Sequence, residues 1–388
     1  MTHVSEDEIP ERPFQNPAMQ LKFNSYMPRH SAQLLVACCF FVALIFLPAG
    51  TAVILTSDSV YELEVRYDEI NKCTINNHTN LSSAGGLSQG CLTRVPFDLN
   101  RELQPPLYLY YRIKGMHQNY REYSQSRYDL QALGEAETDL GYLSNCWPFR
   151  QPGEFSLGYS PNIPITVTGG ELYMNQMVYN PCGTIAWSMF NDTFRLYRET
   201  TGSREIPVCI GDAFTNDSTP IALPTFDPVT FASNEQNYCS KRGITLAADL
   251  KQRYKAPARG PTQWTAYGDP NSNDTYLANG WYFQEPGHKV PLSTDEDYIV
   301  WARVAGMPDF WKLYRRIDTT LVPGRYIMEV HEFFDTVSFD GEKSFIIATT
   351  SVMGGKNYVL GGLLLGFGSL ALVLALAFFL ISIMKKPE

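Results

Sequence analysis

The sequence predicts a membrane protein in which two transmembrane helices flank a large antiparallel, sandwich-like α+β ectodomain that carries glycans. Three observations lead there. Two long uncharged runs stand near the two ends of the 388-residue chain. Six cysteines and five glycan-acceptor motifs fall between those runs. Several segments of the same interval alternate apolar and polar residues with the period of a strand.

The longer run, Val359 to Met384, has no charged residue in 26 positions. At about 1.5 Å rise per residue it more than covers the roughly 30 Å hydrocarbon layer. It has no polar stripe of the kind a buried soluble helix shows. The other run, Leu34 to Leu55, has 22 residues and contains Pro48 and Gly50, which suggest a kink. A cleavable signal peptide is the rival reading, but the 33 residues before it are too many for the basic leader of one. Arg12, Lys22 and Arg29 precede the first span, Asp58, Glu62 and Glu64 follow it, and Lys385 and Lys386 follow the second. That asymmetry places both tails in the cytoplasm. The expected division is therefore a cytoplasmic tail over 1–33, spans over 34–55 and 359–384, an ectodomain over 56–358, and a cytoplasmic end over 385–388. Tails of 33 and four residues are too short for a folded signalling domain.

The 300 residues from Asp58 to Asn357 suffice for a real core. A net charge of −9 and a pI near 5.3 exclude the basic footprint that nucleic acid requires. Cys38 and Cys39 lie inside the first run, where palmitoylation competes with plain apolar packing. The other six, Cys73, Cys91, Cys146, Cys182, Cys209 and Cys239, read as disulfides, with 15 pairings open and the sequential one simplest. No pair has the Cys-x-x-Cys spacing of a zinc site. Acceptor motifs at Asn77, Asn80, Asn191, Asn216 and Asn273 mark exposed lumenal loops.

Within that interval, Val60 to Tyr67 and Pro106 to Ile113 read as strands, and Gly115 to Asp129 as a short amphipathic helix. Arg150 to Asn180 reads as a Pro/Gly-rich elaborated loop with one β-like patch, Ile163 to Thr168. Asp297 to Val304 reads as a strand, and Pro308 as the opening of a helix over Asp309 to Arg316. Gly324 to Val337 and Glu342 to Val352 read as strands joined by a hairpin at Phe339-Asp-Gly341.

No catalytic motif emerges, and no cofactor or metal is expected. His331-Glu332-Phe-Phe-Asp335 lacks the second histidine of a zinc protease, and its alternation puts it in a strand. Neither run contains an ionisable residue, so the chain alone offers no ion path. Gly362-x-x-x-Gly366 would let a partner's helix approach closely, although glycine is also simply common in membrane helices. Lys385-Lys386-Pro387-Glu388 suits an ER-retrieval address and a stop-transfer pair equally.

Several stretches together carry a resemblance: Phe46-Leu-Pro-Ala-Gly50, Pro105 to Ile113, His117 to Tyr123, Pro181 to Thr193, Trp301 to Pro308 and Thr349 to Asn357. The chain resembles the ligand-effect-modulator family, the accessory (β) subunits of type IV P-type ATPases, which are phospholipid flippases. The resemblance implies a non-catalytic subunit in a heterodimer with the ATPase's catalytic subunit, surrounded by membrane lipids. Such a subunit supports folding, ER exit, stability and activity of a pump that moves phospholipid to the cytoplasmic leaflet. It implies residence along the route from endoplasmic reticulum to Golgi, endosome or plasma membrane. Cys146 and Cys182 would match a family disulfide and Asn191 a family glycan. Arg150 to Asn180 looks longer than the family's loop, and Val352 stands where tryptophan is common. Tyrosines in Tyr108 to Tyr111 are expected to include interface anchors, with half of them buried in the core by strand alternation. The alternative from another class is a tethered ectoenzyme acting on glycans or lipids.

Overall fold

A computed structural model of the chain describes residues 32–70, 91–154, 162–200, 204–212, 237–351 and 354–384. The chain divides into two compact units, Met1–Ser57 with Asn357–Glu388, and Asp58–Lys356.

The first unit holds two helices, Ala32–Ser59 and Tyr358–Met384. Both are long and apolar enough to cross a membrane. The first runs unbroken through Pro48. Their contact is made by small residues. A Cβ built on Gly50 would meet Leu365 N at 2.9 Å, one on Gly361 would meet Ile54 Cγ1 at 2.6 Å, and one on Gly368 would meet Leu47 Cγ at 3.0 Å. Ala371 and Ala375 are buried on the same helix. Asn357 caps the second helix, its Oδ1 accepting from Leu360 N–H at 3.0 Å. Its own N–H donates to Ser57 Oγ at 3.1 Å and so ties the two helix ends together.

The second unit is an antiparallel sandwich, as the alternating segments predict. Its strands are β1 Glu62–Arg66, β2 Cys91–Leu99, β3 Leu107–Lys114, β4 Pro164–Val167, β5 Gly170–Tyr173, β6 Val178–Tyr179, β7 Thr193–Thr200, β8 Arg204–Ile210, β9 Cys239–Ser240, β10 Gln263–Trp264, β11 Asp309–Ile317, β12 Gly324–Glu332 and β13 Glu342–Thr349. One sheet runs β1-β13-β3-β11-β9 and the facing sheet β2-β12-β7-β8. Their inner faces interdigitate through aromatic rings. Phe345 of the first sheet lies 5.7 Å from Phe97 of the second, and Tyr314 lies 5.0 Å from Phe194. Rings at these separations add to the area they bury.

A smaller core sits beside the sandwich core. It gathers Leu143, Cys146, Ile165, Met174, Tyr179, Cys182, Trp264 and Tyr282. Much of the stretch read as an elaborated loop therefore has its own packed interior, with the pairs β4–β5 and β6–β10. The bond Cys146–Cys182 lies in this core, and Cys209–Cys239 in the sandwich core.

Three sequence expectations are corrected. Glu296–Ala302 is a helix, not a strand: Asp295 caps it by accepting from Asp297 N–H at 3.0 Å, and Tyr298, Ile299, Trp301 and Ala302 bury one helical face. Asp309–Ile317 is a strand, not a helix, because its period-two set Phe310, Lys312 and Tyr314 faces the interior. The apolar residues of either segment fit both periods, and packing decides between them. β12 and β13 also do not form a hairpin, since they belong to opposite sheets. The chain crosses over 333–341, where Gly341 N–H bonds Thr336 O at 2.8 Å and Asp340 takes a positive φ of 53°. β2, β7 and β8 were not anticipated as strands.

Candidate partner-docking surfaces

The chemistry-bearing residues of the sandwich are mostly committed to holding it together. Lys343 of β13 is fully buried and donates to Asp192 Oδ2 at 2.8 Å and to Phe334 O at 2.8 Å, with Glu332 Oε2 at 3.3 Å. Asp192 also accepts from Tyr67 O–H at 2.8 Å and from the N–H groups of Phe333 and Phe334, each at 2.6 Å. This network turns the chain from β12 towards β13 and pins one sheet to the other. Burial raises the Glu332 carboxyl above its ordinary range despite the pull of Lys343, and drives the Tyr67 phenol well up. His331 stands on β12 as alternation predicts, with its neighbour Glu332 absorbed by Lys343 and by the Thr93 hydroxyl.

A cavity of about 430 Å³ opens beside this network, with Asn191, Lys241, Asp295, Asp297 and Arg315 on its wall. Its carboxylates are held by cations. Arg315 grips Asp297 with its second N–H at 3.0 Å, Lys241 reaches Asp295 at 2.6 Å and Asp297 at 2.9 Å, and Arg195 holds Asp212 at 2.6 Å. Burial would raise Asp297, but the Arg315 and Lys241 charges outweigh it and keep the carboxyl low. Among the described residues no three His, Cys, Asp or Glu side chains converge as a metal site would require.

What the sandwich offers outwards is aromatic. Along β3 the side chains alternate strictly: Leu107, Leu109, Tyr111 and Ile113 are buried, and Tyr108, Tyr110 and Arg112 face away from the core. Tyr111 stacks on Phe190 at 3.9 Å and belongs to the core. Tyr110 instead lies 6.3 Å from Tyr108 and 6.3 Å from Trp311 of β11, which keeps 42% of its surface exposed. Arg112 borders this stripe, bonded to Glu64 at 2.6 Å and Asp309 at 2.7 Å. A helical reading of Asp309 to Arg316 hides Trp311; the alternation Phe310, Lys312, Tyr314 is the signal that puts it on the outer face.

The helical unit has a comparable division. Nothing lies within 4 Å of a Cβ built on Gly362 or Gly366, so this pair faces away from the neighbouring helix. The intramolecular seam uses Gly361, Gly368 and Ala375 instead, a seven-residue repeat legible in the sequence but not used there. Cys38 is exposed and Cys39 half-buried, and both line an apolar groove with Phe46 and Phe367.

The remaining residues singled out by sequence are placed as follows. Cys146 and Cys182 are bonded with Cα atoms 5.6 Å apart, and Cys209 and Cys239 with Cα atoms 4.8 Å apart. Asn191 is half-buried at the cavity wall, and Asn273 is exposed, its Oδ1 accepting from Thr166 N–H at 2.9 Å. Cys91 opens β2. Cys73, Asn77, Asn80, Asn216, Val352 and the terminal lysines lie outside the described residues.

Two of the stretches that carry the resemblance supply structural anchors. In Pro181 to Thr193, Cys182 is a disulfide partner and Asp192 joins the sheets. Gly183 has a φ of 98°, and a Cβ there would stand 2.2 Å from Ser126 O. Trp301 is buried and donates from Nε1 to Ile185 O at 2.9 Å, linking two of the blocks. A family profile described as "LEM3 (ligand-effect modulator 3) family / CDC50 family" matches residues 53–388. The chain belongs to the LEM3/CDC50 family. Relatives include cell cycle control protein 50A of Bos taurus, 28% identical over 385 residues, covering 96% of this chain and 89% of the relative. Cell cycle control protein 50C of Mus musculus is 27% identical over 365 residues, covering 92% and 89%. ALA-interacting subunit 3 of Arabidopsis thaliana is 28% identical over 352 residues, covering 89% and 78%.

Proposed function

We propose that this chain is the non-catalytic accessory subunit of a type IV P-type ATPase, a phospholipid flippase. In this reading it is needed for folding, ER exit, stability and activity of the catalytic subunit with which it forms a heterodimer. Membership of the LEM3/CDC50 family carries the proposal, together with the "interacting subunit" names of its plant relatives. The geometry supports it from two sides. The Tyr108, Tyr110 and Trp311 stripe presents large rigid rings bordered by charge, the composition that protein interfaces favour. Gly362 and Gly366 leave one helix face open for close approach by a neighbour's helix.

The topology belongs to the same proposal. Residues 1–33 and 385–388 lie in the cytoplasm, 34–55 and 359–384 span, and 56–358 lie in the lumen or outside the cell. Five acceptor motifs confined to that interval support the orientation. The tethered-ectoenzyme reading would need free carboxylates in the cavity, and those of Asp212, Asp295 and Asp297 are each engaged by a cation.

Affinity purification of the full-length chain in mild detergent tests the proposal, and a P-type ATPase is expected as its stoichiometric companion. Replacing Tyr108, Tyr110 and Trp311 together by alanine is expected to abolish co-purification while leaving the thermal unfolding of the isolated subunit within about 1 kcal/mol of the parent. Loss of the isolated fold would make the stripe a core element, and recovery of no ATPase would end the proposal.

A further inference from the structure

The motif Asn191-Asp192-Thr193 joins two features that have no reason to coincide on a plain surface loop. Its middle residue is the buried anchor of the inter-sheet network, so the backbone carrying Asn191 is fixed in place. Its first residue stands on the wall of the 430 Å³ cavity, and the Asn191 side chain makes no hydrogen bond to any other described residue. No protein contact among the described residues therefore competes for this amide at the cavity wall.

We infer that the cavity seats the proximal N-acetylglucosamine units of a glycan attached to Asn191. The volume lies within the range of about 300–1,000 Å³ typical of small-molecule sites. Sugar hydroxyls both donate and accept, which suits a wall that alternates the cations Lys241 and Arg315 with the carboxylates Asp295 and Asp297. These groups are already set by their mutual ion pairs, so the wall is preorganised for a neutral polar ligand and needs no counter-charge from it. Tyr267 adds an aromatic surface at the same wall; Arg259 covers it at 4.3 Å from the ring centroid, and 41% of the residue stays exposed. The covalent bond holds the sugar at the mouth, so the local concentration is high and a modest intrinsic affinity is enough to fill the site. Asn273 shows the contrary case. It is exposed, absent from the cavity wall, and its carbonyl is occupied by Thr166 N–H.

The inference rests on the lumenal placement of residues 56–358 and separates from it in one experiment. The full-length chain is made in a eukaryotic secretory pathway, purified in detergent, and treated without denaturation with a peptide-N-glycosidase in ¹⁸O-water. Mass spectrometry then reads the release at Asn191 and Asn273 separately. A seated glycan is cleaved only when it leaves the cavity, so release at Asn191 is expected to be slower than at Asn273 by about tenfold or more, or about 1.4 kcal/mol of seating. After denaturation and reduction the two rates are expected to converge. Tyr267→Ala, at an exposed position that should not endanger folding, is expected to speed native release at Asn191 and leave Asn273 unchanged. Equal native rates, a ratio unmoved by Tyr267→Ala, or a glycosylated Asn273 beside a bare Asn191 would each overturn the seating alone. Both sites bare would overturn the seating alone, and all five acceptor asparagines bare would remove the lumenal placement with it.

Discussion

Lys343 illustrates how a charge survives at zero exposure. Its ammonium meets the carboxylates of Asp192 and Glu332 and the carbonyl of Phe334, so the desolvation that burial imposes is met by directed bonds. Removing the cation leaves two buried carboxylates facing each other. Lys343→Met is therefore expected to destabilise the domain by about 3–5 kcal/mol, read as a fall in the denaturation midpoint. Lys343→Met combined with Asp192→Asn should recover part of that loss, and no recovery would show that the pair is not coupled. Lys312 is the second buried amine. In its charged form it donates to Val300 O at 3.2 Å, Trp301 O at 2.7 Å and Arg303 O at 2.6 Å, the orphan carbonyls at the end of helix Glu296–Ala302. Burial lowers its pKa from 10.5 to about 7. Between that value and the unfolded value near 10.4, the unfolded chain binds a proton that the folded one lacks, so stability rises with pH across this window. The wild type is expected to gain up to about 1.4 kcal/mol per pH unit relative to Lys312→Met between pH 7.5 and 8.5. Parallel unfolding curves for the two proteins over that interval would refute it.

At the scale of elements, the membrane helices divide their small residues between two tasks. Gly50, Gly361 and Gly368 let the two helices touch, while Gly362 and Gly366 face away. A side chain at Gly50 would strike the Leu365 backbone at 2.9 Å, which a rotamer change cannot relieve. Gly50→Val is expected to cost the isolated subunit about 1–3 kcal/mol, the usual range for overpacking. Gly366→Val should leave that stability unchanged and weaken co-purification with the ATPase. If both variants behave alike in thermal unfolding, the division is wrong. Glycine count alone could not have assigned these roles, because both pairs sit on one helix and only the neighbour's position separates them. The segments 296–302 and 309–317 teach a related lesson. Asp295 as a cap and the set Tyr298, Ile299, Trp301, Ala302 were visible in the sequence, yet β-branched and aromatic residues pointed to a strand. Lys312, reaching from the strand to the helix end, is what fits the two elements to each other, and no local propensity encodes that contact.

Considered as a whole, the unit Asp58–Lys356 is a sandwich with a second small core beside it, and each core carries one disulfide. Loops of 36 and 30 residues are closed by these bonds. Replacing Cys209 and Cys239 together by serine is expected to lower stability by about 2–5 kcal/mol. The effect should fall on the sandwich first, so amide exchange should rise in β8 and β11 before it rises in β6 and β10. Uniform loss of protection would mean that the two cores unfold as one. The outer stripe of Tyr108, Tyr110 and Trp311 is a property of this scale too, since it needs β3 and β11 to be neighbours.

Much was legible in the chain alone. The two uncharged runs and the strict alternation from Leu107 to Ile113 follow from transfer free energy and from the two-residue period of a strand, and six of the eight cysteines and all five acceptor asparagines fall between the runs. These determined the two-helix, β-rich architecture, and the motif blocks pointed to the family. The tertiary structure decided what depends on distant partners. It set which glycines meet a neighbour, which sheet receives β13, whether 296–302 coils or extends, and that Asn191 stands at a cavity. Each turns on contacts between residues far apart in sequence, whose energies exceed the few tenths of a kcal/mol per residue that local propensity contributes.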